Sequence, residues 1–324
     1  MRRLTNSSIY NSQIMVNRLL NMMKNWLLQL FFVVAANAQE PYVVVLGTAQ
    51  DGGYPQAGCN KACCRAVWEK KLAFEAVSCI ALVDPSTGQR WIFDATPDFK
   101  FQLEALKNIT QNSSNELAGI FLTHAHIGHY TGLMDLGREV MGAKSVPVYA
   151  MPRMKTYLES NGPWSQLVQL ENIKLRPLQE DILIELNDRL KVRAFRVPHR
   201  DEFSETVGFE IIGPQKRLVF IPDIDKWQKW NQSLETLVQN VNYALLDGTF
   251  YKDGEINRPM SEVPHPFVTE TISLLKHLPI SQKKKVHFIH LNHTNPLLQP
   301  TSPEYQEILK DGFQVTHTQQ SFKL

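Results

Sequence analysis

Short apolar runs recur along the chain, and most of them close on a turn signal or on a residue able to do chemistry. Residues 42–46 form a β-branched apolar run, closed by Gly47 and the turn-rich residues 51–55, which predicts a buried first strand leading into a long loop. Residues 78–83 and 90–93 predict a hairpin across the turn at 84–88, and Asp94 and Asp98 follow it. Helical spacing predicts helices over 65–75 and 99–106 and a third carrying Leu133, Leu136 and Val140. Residues 146–149 predict another strand, and residues 163–190 read as strand-like segments alternating with turns. Residues 191–197 alternate clearly and lead into His199; residues 217–221 lead into Asp223, 242–246 into Asp247 and 285–289 into His290.

A further apolar run, 118–122, leads directly into His124, His126 and His129. Three imidazoles within six residues are costly in a packed interior unless something uses them, and a divalent metal is the usual reason. Five strand-like segments thus end at a His or Asp: His124, His199, Asp223, Asp247 and His290. In layered αβ architectures the loops at one end of the strands form the binding crevice, so side chains spread over the chain can converge there.

The 324 residues are 43% hydrophobic and 20% charged, an ordinary globular balance. With 34 basic and 32 acidic residues, the net charge of +2 gives no electrostatic case for nucleic acid or an anionic membrane, so the expected partner is a small molecule; the oligomeric state is left open. Lys24, the apolar run 26–34 and the small residues Ala36 and Ala38 read as a secretory signal cleaved before Gln39. We therefore expect a leader and signal peptide over 1–38, a single domain over 39–324, an exported (periplasmic or secreted) location and no stable membrane span after cleavage. Cys59, Cys63 and Cys64 crowd into six residues, a spacing closer to a metal knuckle than to a framework of bridges, while Cys79 lies in an apolar run and reads as core.

Taken together, His124-x-His126-x-x-His129, His199, Asp223 and His290 resemble, in type and order, the ligand motifs of the metallo-β-lactamase superfamily. Residues 46–56 followed by cysteines, 197–200, 246–249 and 288–296 are similar to the branch containing coenzyme PQQ synthesis protein B, and the cyclic phosphodiesterases of phosphonate breakdown are a second similar branch. The resemblance implies an α+β fold, a four-layer αββα sandwich with metals at one edge of its two sheets. It implies one metal on His124, His126 and His199, a bridging Asp223, and a second metal on His129 and His290. It also implies His265 as the residue acting on a leaving group, and a structural zinc on Cys59, Cys63, Cys64 and His293, with Cys63 standing in where relatives have a cysteine in place of Lys61. His290 and His293 compete as the last ligand, and strand position favours His290. Asp247 is open to an orienting or proton-transfer role beside the metal or to plain turn chemistry with Gly248.

The superfamily loop has Asp before its third histidine, where this chain has Gly128. Losing that carboxylate predicts a weakened second metal position. The expected cofactor is zinc, one or two ions, with iron or manganese also compatible with imidazole ligands. The expected function is a metal-dependent hydrolase acting on a phosphodiester or other ester, with His265, Asp223 and Asp247 as its catalytic side chains. The alternatives are an iron-dependent oxidation of the kind associated with the PQQ branch, or a small-molecule binding protein on the same fold.

Overall fold

The computed structural model describes residues 39–257 and 259–324, with Arg18 alone from the preceding segment. The leader expected over 1–38 otherwise lies outside the described residues. Contacts divide the chain into Met1–Glu40 and Pro41–Leu324, and both sheets lie in the second unit.

The strands are β1 (Tyr42–Gly47), β2 (Cys79–Asp84), β3 (Gln89–Phe93), β4 (Gly119–Phe121), β5 (Val146–Ala150), β6 (Ile173–Pro177), β7 (Leu183–Glu185) and β8 (Lys191–Arg196), continuing with β9 (Val207–Ile212), β10 (Arg217–Ile221), β11 (Tyr243–Asp247), β12 (Val286–Ile289), β13 (Gln314–Val315) and β14 (Ser321–Lys323). They form two seven-stranded sheets, ordered β14-β1-β2-β3-β4-β5-β6 and β13-β12-β11-β10-β9-β8-β7. In the first sheet β1–β3 pair antiparallel and β3–β6 parallel; in the second β7–β10 pair antiparallel and β10–β13 parallel.

Both faces of each sheet are covered, which is why the strands read as apolar runs rather than clean alternations. Val43, Val45, Ile80, Leu82, Trp91 and Phe93 point between the sheets, where they meet Val192, Phe209, Phe220 and Leu245. Phe121 stacks on Phe93 and Tyr149 at 4.9 and 4.3 Å and meets Phe209 edge-on, joining the two layers. The alternate positions Val44, Ala81, Ile92 and Ile120 face outward onto the helices Phe99–Thr110, Pro152–Ser160 and Trp164–Gln169. On the other side, Val219, Ala244 and Phe288 pack against Leu234–Asn240, Val268–Leu275 and Pro303–Lys310. The result is the expected four-layer αββα sandwich.

Three local expectations change. The helix predicted over 65–75 runs over Ala62–Trp68 instead; Lys70 adopts φ +58°, the left-handed conformation that ends a helix, and Leu72 and Phe74 are exposed. The helix predicted through Val140 is a single turn, Ile127–Tyr130, followed by a 3₁₀ segment, Thr131–Leu136, with Val140 outside it and exposed. Leu133 and Leu136 are still fully buried, so their spacing reported burial but not helix length. Residues 163–190 include the helix Trp164–Gln169 as well as β6 and β7.

Candidate metal centre

β4, β10, β11 and β12 deliver His124, Asp223, Asp247 and His290 from their C-terminal ends, and the loop after β8 brings in His199. The two sheets meet at this edge. Ala49, beyond β1, bridges Leu291, beyond β12, with Gln50 N–H donating to Leu291 O at 2.9 Å and Leu291 N–H to Thr48 O at 2.8 Å. His290 itself sits at φ +64° and Asp94 at φ +69°, left-handed conformations that non-glycine residues seldom adopt and that cluster at functional sites.

Two groups of four ligand atoms result, each within 4.8 Å of one another: His124, His126, His199 and Asp223, and then Asp51, His129, Asp223 and His290. Asp223 belongs to both. Its Oδ2 lies 3.4 Å from His124 Nε2, 2.9 Å from His129 Nε2 and 3.4 Å from His290 Nε2, and its Oδ1 3.9 Å from His199 Nε2. Nitrogen and oxygen ligands around a tetrahedral zinc are about 2.0–2.2 Å from the ion, which separates them from each other by roughly 3.3–3.6 Å. The observed spacings bracket that range. His124 Nε2, His290 Nε2 and Asp223 Oδ1 are moreover buried without any hydrogen-bond partner, a costly state for polar atoms that a bound cation would relieve. The residues present therefore fit a metal.

The far sides of four of the rings are held, while His199 Nδ1 is buried without a hydrogen-bond partner. His124 Nδ1 lies 3.0 Å from the Thr123 hydroxyl, which donates to Asp94, and His129 Nδ1 donates to Asp94 Oδ2 at 2.7 Å. His290 Nδ1 lies 2.8 Å from the Thr249 hydroxyl, which donates to Asp247 Oδ1 at 2.7 Å. His126 Nε2 lies 3.0 Å from Glu202 Oε2, leaving Nδ1 as the nitrogen free for an ion. Such outer partners fix the tautomer and aim the ligating nitrogen.

Electrostatics point the same way. Burial pushes His124 well below the ordinary imidazole range, with His129 adding to it, and burial pushes His199 down to about 4 against the pull of Asp223, so both are neutral and ready to ligate near neutral pH. Burial would raise the Asp223 carboxyl, but His290, His129 and His199 around it hold it well below the usual range. His129, despite burial, is held well above its ordinary value by Asp94, Asp223 and Asp51. Asp94, Asp223 and Asp51 thus concentrate negative charge on this side of the cluster, charge that a divalent cation would offset.

All six expected metal ligands converge. His265, the residue expected to act on a leaving group, is buried, with Nδ1 2.8 Å from Asp247 Oδ2 and 3.4 Å from Asp223 Oδ1. Asp247 also accepts from Ile224 N–H and Thr249 N–H, so it organises the site and is more than a turn residue. Two site carboxylates were unforeseen as such. Asp94 follows β3 as directly as Asp247 ends β11, and the same reading of strand ends would have marked it. Asp51, read from the sequence only as part of the turn-rich loop after the first strand, faces His129 Nε2 at 3.0 Å and His290 Nε2 at 3.5 Å.

A separate cluster gathers Cys59, Cys63, Cys64 and His293, all cysteines being free thiols. Sγ of Cys63 lies 3.8 Å from that of Cys59 and 4.0 Å from that of Cys64, close to the roughly 3.8 Å edge of a tetrahedron with zinc–sulfur bonds of about 2.3 Å. Cys63 and Cys64 both reach the cluster from the helix Ala62–Trp68. His290 and His293 divide as expected, one to each cluster.

A fold of two facing mixed sheets with histidines and a shared aspartate at one edge defines a class, and a model of the beta-lactamase superfamily domain matches residues 89–290; the chain belongs to that family. Coenzyme PQQ synthesis protein B of Xanthomonas axonopodis pv. citri is 24% identical over 302 residues, covering 85% of this chain and 97% of that protein. Among solved structures, zinc-bound PqqB from Methylobacterium extorquens superposes with a TM-score of 0.73 at 24% identity, covering 87% of this chain and 100% of the other. A diphosphatase of the PhnP family superposes with a TM-score of 0.60 at 19% identity, covering 88% and 98%.

Proposed function

We propose that the protein is a metal-dependent hydrolase that directs water at a phosphodiester or other ester of a small molecule. One observation carries this: two four-ligand groups share Asp223, and His265 stands beside that shared carboxylate at 3.4 Å. A divalent ion held there would polarise the substrate and lower the pKa of bound water towards ~7. His124, His126 and His199 form one ligand set, and Asp223 ties it to the set that includes His129 and His290. The Asp223 carboxylate, kept ionised, serves as the local proton acceptor. His265, whose burial is outweighed by the Asp247 and Asp223 carboxylates so that its pKa is raised, holds a proton near neutral pH and delivers it to the departing oxygen. The likeness in fold to a diphosphatase of the PhnP family supports phosphoryl chemistry. Zinc is the proposed ion, supported by the zinc-bound relative, with a further structural zinc on the cysteines.

A second reading draws on the near full-length match to coenzyme PQQ synthesis protein B: the same imidazoles and carboxylate holding iron for an oxidation in quinone-cofactor synthesis. Zinc- or manganese-loaded protein tested against a panel of phosphodiesters and carboxylic esters, beside oxygen uptake by ferrous-loaded protein, separates the two. Ester turnover without oxygen uptake supports hydrolysis; oxygen uptake without ester turnover replaces it. The sequence of residues 23–38 supports export, which cell fractionation of the full-length chain tests.

A further inference from the structure

We propose that Asp51, in the loop after β1, supplies the carboxylate that the histidine loop lacks at Gly128, so that the second metal position is complete. This rests on reading the cluster as a metal centre but on no particular reaction.

A Cβ placed on Gly128 would fall 2.2 Å from Asp51 Oδ1 and 2.7 Å from Asp51 Cα. No side chain fits there while Asp51 stays where it is. The glycine is therefore the condition that lets the β1 loop press its backbone against the histidine loop and insert its own carboxylate in the space a side chain at 128 would take. The weakening expected from Gly128 treats that position by itself, whereas a residue 77 positions earlier fills it.

Three further observations bear on the assignment. Asp51 Oδ1 is 3.0 and 3.5 Å from His129 Nε2 and His290 Nε2, and Asp223 Oδ2 is 2.9 and 3.4 Å from the same two atoms. The two carboxylates are thus placed equivalently about the two imidazoles, as two corners of one coordination polyhedron. His290 is fully buried and its Nε2 has no hydrogen-bond partner, so this side of the cluster holds an unsatisfied polar atom aimed at the same space. The loop also has little freedom to withdraw, because Gln50 N–H bonds Leu291 O, next to His290, and Gly53 N–H bonds Gln50 O.

Counting bound ions tests this without reference to turnover. Full-length protein is stripped with chelator, reloaded with zinc and dialysed against a fixed free zinc concentration, and the ions per chain are measured by elemental mass spectrometry for wild type, Asp51→Ala, Asp51→Asn, His290→Ala and Asp51→Ala/His290→Ala. Circular dichroism and melting of the stripped proteins monitor folding, and the near-isosteric Asp51→Asn covers a fold failure of the alanine variant. Wild type is expected to keep one ion more than Asp51→Ala. Asp51→Asn should bind that ion at least tenfold more weakly. The double variant should lose no more than either single change, because both remove the same ion. Folded Asp51 variants with the wild-type ion count and affinity overturn the assignment, as does a double variant that loses two ions. Wild type binding no zinc would overturn both this assignment and the metal centre. An intact pattern of ion loss in a protein that hydrolyses nothing would leave the assignment standing and remove only the hydrolase reading.

Discussion

Asp247 accepts a hydrogen bond from His265 Nδ1 at 2.8 Å, and both side chains are buried beside Asp223. A carboxylate that fixes one ring nitrogen leaves the other to face a substrate, an orienting pair of the kind found around general acids and bases. In the proposed hydrolase, Asp247 would be a positioning residue and His265 the proton donor.

Loss of a general acid matters most when the leaving group is poor. Asp247→Asn and His265→Ala should each lower kcat on an alkyl phosphodiester by about 10²–10⁴-fold. The loss on a p-nitrophenyl ester, whose leaving group departs without help, should be much smaller. Comparing the two substrates checks this; equal losses on both would show that the pair acts on the fold or the metal and not on the leaving oxygen.

The cysteine cluster sits between the two loops that carry Asp51 and His290. Tyr54 donates from its hydroxyl to Cys63 O at 2.7 Å and accepts from Gln299 Nε2 at 3.0 Å, and His293 follows His290 by three residues. Cys64→Ser should therefore remove one zinc and also weaken the ion at Asp51 and His290. A ligand at 100 times its Kd stabilises a fold by about 2.7 kcal/mol, so the zinc-dependent gain in unfolding free energy should shrink by an amount of that order. Zinc titrations followed by melting measure it, and an unchanged zinc gain in the variant would contradict the site.

Stability should also carry an acid-side dependence unrelated to the metal. His287 is 7% exposed, packs edge-on against Phe322, and has no partner at Nδ1; burial, with His317 adding to it, pushes its pKa down from 6.5 to about 4. The folded state then binds fewer protons than the unfolded state between pH 6.5 and 4. The stability due to neutral His287 is present above 6.5 and is lost as pH falls towards 4, by on the order of 3 kcal/mol. His287→Gln should flatten this window in urea denaturation at pH 7 and pH 4.5. An equal pH loss in both proteins would rule the group out.

Much of the site was legible because strand ends are legible. An apolar run ending on His or Asp marks a side chain at one edge of a sheet, and His124, His199, Asp223, Asp247 and His290 all follow that rule. Asp94 obeys it too. Asp51 does not: it lies in a turn beyond β1, and what brings it to His129 is the pairing of Ala49 with Leu291, a contact between segments more than two hundred residues apart that no local pattern reports. The helix expected through Val140 failed for a related reason. Leu133 and Leu136 are buried because the short turns behind the histidine loop press on the sheet, and burial at helical spacing is also what a 3₁₀ segment produces over so few residues. Gly128 read by itself suggested a loss, and only the position of Asp51 gives it another meaning.

Hydrolysis of bis(p-nitrophenyl) phosphate, measured before chelation, after chelation and after zinc is restored, in wild type and in His126→Ala, tests the metal-dependent chemistry most directly. The rate should vanish on chelation, return with zinc in wild type, and stay lower in His126→Ala by more than the roughly 10–100-fold that an outer-shell partner costs. A His126→Ala rate equal to wild type, or a wild-type rate indifferent to chelation, would contradict it.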